Sequence, residues 1–415
     1  MQRSIMIVGA LGISLALTAC GASSSDGGSS ALPSSSMDAG NPAATGTVTL
    51  WVDDNRYLEM QPIVEEFKNE TGVTVELVQK ASEDIGPDFV AQVPTGEGPD
   101  MIISAHDGLG EWINNGVVAP IELGDVADSF VPVASAAMAY DGQYYGVPLS
   151  LENVALVRNN ALISETKATT FDELIAEAKA VGTEFSVLIQ QGDKSDPYHM
   201  YPLQTSFGAQ VFAQSADGSY TSELTMGGAK GEAYAEYIAK LGQEGVLDIA
   251  VDGAVAGQAF TDGKAPYIIT GPWAIPGMTE LGMDFTVLPI PSAGGEPSQP
   301  FVGVQGLFIS SESKNPVLAN QFAQFLTTEK VQDMLYDVSH RSPALAASAA
   351  KVEDPIVAGF NAAGASGAPM PAIPEMSSVW GFWGTTEAQI IDGQVDPVTG
   401  WEAMVVNIQG AIDGA

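Results

Sequence analysis

The sequence predicts an α/β fold built as two domains, on three observations. From residue 47 onward, apolar strand-like runs alternate with helix-periodic segments. Apolar residues make up 45% of the chain, enough for large cores. At 415 residues it exceeds what one core usually supports.

The N-terminus precedes the fold. Met1-Gln2-Arg3 is a short positive start, Ser4 to Leu17 is mostly apolar, and Leu17-Thr18-Ala19-Cys20 ends in the chain's only cysteine. This reads as a secretory signal, too short and wrongly flanked for a membrane span. The placement of Cys20 resembles a bacterial lipobox, in which the thiol is lipidated and begins the mature protein. The expectation is an extracytoplasmic chain held at the outer face of the cell membrane by its N-terminal lipid. With Cys20 used as the anchor, disulfides, thiolate metal sites and cysteine catalysis are excluded. Residues 20–46 are rich in Gly, Ser, Ala and Pro and read as a flexible tether.

Residues 48–52 form the first predicted strand, followed by Leu58, Ile63, Val64 and Phe67 at roughly helical spacing. Residues 73–78 alternate, and 101–103 make another buried strand. Thr170 with Glu173 predicts a capping box ahead of Phe171, Leu174, Ile175 and Ala178. Helical faces recur at Tyr234, Tyr237, Ile238 and Leu241, at Phe322, Phe325 and Leu326, and at Val331, Met334 and Leu335. Between them, 154–157, 186–189, 267–270, 285–290 and 301–310 are strand candidates. Such alternation predicts largely parallel sheets, and no short-period repeat suggests a solenoid or propeller.

Charge and missing motifs narrow the function. The net charge of -36 becomes -37 once residues 1–19, which hold Arg3 and no acid, are removed. So acidic a chain repels phosphate backbones and anionic lipid, which argues against a nucleic-acid partner. His106, His199 and His340 are far apart, and HExxH, GxSxG, P-loop and GxGxxG motifs are missing. No metal or cofactor is expected. What remains is aromatic and polar: Trp51 before Asp53, Asp54, Asn55 and Arg56; Trp273 in Gly271-Pro272-Trp273; and Trp380 with Trp383 among glycines. Tryptophans beside Gly or Pro at strand ends lie where α/β sheets bind ligands. The C–H faces of sugars suit indole rings, and their hydroxyls suit Asp, Glu, Asn and Arg.

In this setting the chain resembles the extracellular solute-binding proteins of ABC sugar importers, and among them the maltose/maltodextrin-binding group in its actinobacterial lipoprotein form. The landmarks are Trp51-Val52-Asp53-Asp54-Asn55-Arg56-Tyr57, Gly98-Pro99-Asp100, Ala105-His106-Asp107, and Gly146-Val147-Pro148 running to Glu152-Asn153. Later come Asp196-Pro197-Tyr198, Gly271-Pro272-Trp273, Phe301-Val302-Gly303-Val304 and the run from Met370 to Met376. The resemblance implies a two-lobed periplasmic-binding-protein-like fold, each lobe a mainly parallel sheet flanked by helices, with three hinge crossings. Lobe one would be 47–151 with 305–345, and lobe two 155–300 with 350–415. The crossings would lie near Glu152, 301–304 and 342–347.

By the same resemblance Asn55, Arg56, Asp107, Glu152, Asp196 and Tyr198 would meet sugar hydroxyls, and Trp273 and Trp380 would stack on the rings. The group's pattern has Trp, Arg and an aromatic where this chain has Ser104, Gly108 and Gly381. Trp383 is expected to refill the last of these spaces. The implied function is a monomeric, non-enzymatic receptor that captures maltose or maltodextrin-type α-glucosides by hinge closure and passes them to permease subunits. Trehalose or another disaccharide is the alternative ligand. The alternative classes are a structural surface lipoprotein and a secreted glycoside hydrolase, the latter pairing Glu152 with Asp107 or Asp196.

Overall fold

The computed structural model describes residues 46–215 and 218–414. The expected signal, Cys20 and the tether up to residue 45 lie outside the described residues.

The first strand, Thr47–Val52, runs parallel to Thr74–Gln79, with Val48 beside Val75 and Leu50 beside Leu77. A parallel pair needs a long crossover, and the helix Asp54–Thr71 supplies it. Asp53 caps that helix by accepting the Arg56 N–H at 2.9 Å, and Gly72 ends it in the left-handed region at φ 79°. Its core face is Met60, Ile63 and Phe67, while the expected Leu58 is 72% exposed. Five residues before Ile63, Leu58 lies about 140° around the helix and cannot share that face.

Met101–Ala105 pairs parallel to the first strand on its other edge. The long strand Phe301–Ser310 then joins antiparallel to Met101–Ala105, and Gly146–Glu152 joins antiparallel to Phe301–Ser310. Ser342–Pro343 closes the edge against Gly146–Glu152. Helices Pro316–Leu326 and Glu329–Ser339 add Phe322, Leu326 and Val331 to this first core.

The second core surrounds a sheet in which Ala155–Asn159 is antiparallel to both Phe285–Leu288 and Tyr267–Thr270, and Val187–Ile189 is parallel to the latter. Alternate residues serve opposite faces. Leu156, Tyr267 and Ile269 pack against one apolar cluster, Val157 and Ile268 against another. A sheet buried on both faces explains why these strands read as continuous apolar runs. The predicted capping box at Thr170 and Glu173 opens the helix Phe171–Val181. Ser377–Ile391 and Pro397–Gly414 are further helices on this core.

The chain passes between the cores three times. It does so after Glu152, between Phe301 and Val304 within one strand, and between Leu345 and the helix Pro355–Gly364. Each core is therefore discontinuous in sequence, and a cleft lies between them.

Candidate functional site

The cleft is a cavity of about 720 Å³, within the usual size of small-molecule sites. From the first core it is walled by the opening turn of Asp54–Thr71 and the short turn His106–Gly108. From the second it is walled by the start of the helix Pro197–Ser206, the turn Pro272–Ala274 and the helix Ser377–Ile391. Glu152, Gly303 and Gln305, on the crossing strands, complete it.

Asn55, Arg56, Asp107, Glu152, Asp196, Tyr198, Trp273 and Trp380 are brought together on these walls. Trp383 is not among them. It is fully buried and donates its indole N–H to Glu387 at 3.0 Å. The pair Trp380 and Trp383 sits on a helix rather than a loop, stacked 5.5 Å apart with rings 16° from parallel. Three residues apart, they share one side of the helix, where the first lines the cavity and the second lies sealed behind it. The space at Gly381 is left open. Trp51, at the end of the first strand, is also buried, with the Lys80 ammonium 4.0 Å from its ring centre.

The polar floor is an ionic knot. Arg56 donates from Nη1 to Asp53 Oδ2 at 2.8 Å and from Nη2 to Glu152. Glu152 Oε1 also lies 2.6 Å from Arg341 Nε, and Arg341 pairs with Glu59. Gln305 Nε2 donates to the other Glu152 oxygen at 3.3 Å. Burial works against the Arg56 charge, but Glu152, Asp53 and Glu59 outweigh it and raise its pKa. Buried charges without partners are costly, which is why these come as a set. Arg341, 2% exposed, carries no local sequence signal because its partners are 282 and 189 residues away.

Asp196 is equally engaged. Its Oδ1 caps the helix by accepting the His199 N–H at 3.1 Å, while Oδ2 faces Gln190 Nε2 and, at 3.0 Å, His199 Nδ1. Burial disfavours its charge, yet His199 and Gln190 hold the pKa below the usual carboxylate value. Asp107 behaves oppositely. Burial pushes it up to about 6, against a hydrogen bond of 3.2 Å from Trp380 Nε1 and one from its own backbone N–H. The bond from Trp380 joins the two walls directly.

His106 pins the same region. The Val304 N–H donates to Nδ1 at 3.1 Å, so the ring proton sits on Nε2, 3.1 Å from the Met370 carbonyl. One neutral ring thus ties the Asp107 turn to a crossing strand and to the second core. Burial lowers its pKa to about 4.

The departures at 104 and 108 have structural counterparts. Ser104 leaves one aromatic platform out of the wall. A Cβ on Gly108 would lie 2.4 Å from the Trp112 ring, so Trp112 fills the space that a side chain at 108 would need. Gly271 is bare for a related reason: the Trp273 ring lies where its Cβ would be, at 2.1 Å.

Residues 62–359 match the family model described as bacterial extracellular solute-binding protein, a span that includes parts of both cores. The chain belongs to this family. This solute-binding protein is 26% identical to the galactooligosaccharide-binding protein of Bacillus subtilis (strain 168), over 96% of this chain and 95% of that one. It is 28% identical to the maltotriose-binding protein of Pyrococcus abyssi, over 81% of this chain and 76% of that one. Among solved structures, the Thermus thermophilus maltotriose binding protein bound with maltotriose superposes with a TM-score of 0.82 at 31% identity, covering 88% of this chain and 100% of that one.

Proposed function

We propose that this solute-binding protein captures maltose or maltodextrin-type α-glucosides for an ABC importer. The observation that carries the reading is a cleft in which two half-buried tryptophans, Trp273 and Trp380, share one cavity with Asn55, Asp107 and Tyr198. Indole faces suit the C–H surfaces of glucosyl rings, and the amide, carboxyl and phenol groups suit their hydroxyls. The two relatives named for maltotriose support the ligand class.

In this reading lobe one is 47–151 with 305–345 and lobe two is 155–300 with 350–415. Both lobes contact the sugar, so it favours the closed arrangement by its differential affinity for that state. Arg56, Glu152 and Asp196 act chiefly by holding the walls in shape, since their charged groups already have protein partners. Closed monomers dock on the permease, and lipidated Cys20 keeps them beside it. The protein is a receptor and not a hydrolase. A hydrolase needs two carboxyl groups free to act on one bond, whereas Glu152 is bound by two guanidiniums and Asp196 by two donors, with the His199 ring against it.

Isothermal titration calorimetry with maltose, maltotriose, trehalose and a galactooligosaccharide tests the reading. Saturable heat with maltotriose is expected, strongest among the four. Silence with both malto-sugars in folded protein would sink the ligand class, and release of new reducing ends would favour a hydrolase.

A further inference from the structure

We infer that a second cavity, of about 580 Å³, extends the sugar site and takes additional glucosyl residues of a longer chain. The inference rests on reading the first cavity as a maltooligosaccharide site. Asn55 and Trp273 belong to the walls of both cavities, so the two are continuous at those residues. Like the first, the second cavity lies between the cores. Leu58 and Val338 come from helices of the first core, and Gln258 and Leu281 from the second.

The surface has the chemistry of a sugar track. Leu58 and Leu281 are 72% and 65% exposed, offering apolar contact to C–H faces beside the Trp273 ring. Among the described residues the Asn55 side-chain amide has no protein partner, so it is available to a hydroxyl at the junction. Two glycines keep the floor low. A Cβ at Gly257, within the helix Gly253–Thr261, would meet nothing within 4 Å, and the same holds at Gly277. Neither has the left-handed backbone that glycine alone tolerates.

Those glycines give a test that spares the fold. Gly257→Phe puts a ring into the second cavity from a helical position where phenylalanine is a better helix former than glycine. Calorimetry would compare maltotriose with maltohexaose on both proteins. Wild type is expected to bind maltohexaose more tightly than maltotriose. The variant should lose about fivefold or more in maltohexaose affinity while maltotriose stays within about twofold, the scale of one lost polar or stacking contact. Gly277→Phe, approaching from the neighbouring helix, should repeat the pattern, and thermal melts verify that both variants fold. An unchanged chain-length profile in folded variants overturns the extension while leaving the first cavity intact. If wild type binds no malto-sugar at all, the reading of the first cavity fails and takes the extension with it. Unaltered sugar binding with impaired uptake in cells would instead assign the groove to a protein partner and also overturn it.

Discussion

Trp380 and Trp383 are three residues apart and have opposite fates. Trp380 is half-buried on the cleft wall, with its N–H on Asp107 across the boundary between the cores. Trp383 is sealed beneath it against Tyr201 and Glu387. Truncation should separate the two roles. Trp380→Ala is expected to weaken maltotriose binding by about tenfold or more while moving the denaturation midpoint little. Trp383→Ala should cost about 3–5 kcal/mol of stability, as large buried aromatics do, with folded protein still binding. Urea titrations beside calorimetry decide it; a large affinity loss in folded Trp383→Ala with intact stability would reverse the assignment. Why the sequence misplaces Trp383 is physical. Gly381 and Gly384 suggest a loop, but a Cβ on Gly384 would lie 2.2 Å from the Lys194 carbonyl, so that glycine serves helix packing.

Between elements, the helix Ser377–Ile391 is joined to the segment before Pro197–Ser206 through Glu387. Its Oε1 accepts from Tyr234 at 2.8 Å and Trp383 at 3.0 Å, and Oε2 meets Ser195 Oγ at 3.2 Å. Ser195 has one hydroxyl hydrogen and gives it to Gln191 at 2.7 Å. Neutral Glu387 can then donate its own proton to Ser195. Burial pushes its pKa up to about 8, from an ordinary 4.5. The folded form therefore holds a proton that the unfolded form releases above pH 4.5, so stability is full below that pH and declines as pH rises through 8. Asp107, raised to about 6, adds a decline of the same sign over a lower range. Glu387→Gln keeps the same donors and acceptors without titrating. Thermal melts from pH 5 to 9 should show wild type losing more stability than the variant, by about 1–3 kcal/mol at the alkaline end. Parallel curves would mean that Glu387 does not titrate in this range.

Across the whole molecule, the ionic knot ties the first helix, through Arg56, to the crossing strand ending at Glu152 and to Arg341 at the edge of the closing strand. Arg341→Met leaves Glu152 and Glu59 short of a buried cation. A loss of about 3–5 kcal/mol is expected, with weaker maltotriose binding because Glu152 is part of the cavity wall. A urea midpoint near that of wild type would show the knot to be dispensable. Beyond the Asp53–Arg56 pair, none of this network is legible locally. Apolar runs, the Thr170 box and the turn at Trp273 report on neighbours a few residues away, and those features read correctly. Arg341, Glu387 and the exposure of Leu58 depend on which distant surface packs opposite, and no local pattern records that.

Three passages between the cores also govern when the protein can fold. The first core lacks its central strand until Phe301–Ser310 is made and its edge until Ser342–Pro343 follows. The second lacks Trp401, Met404 and Ile408 until almost the last residues are synthesised. Contacts this distant in sequence form late and slowly. A chain emerging from the ribosome therefore stays without a finished core for most of its synthesis, the state in which an unfolded polypeptide can be threaded through a membrane. The discontinuity that builds the cleft thus also postpones a finished core until most of the chain has been made.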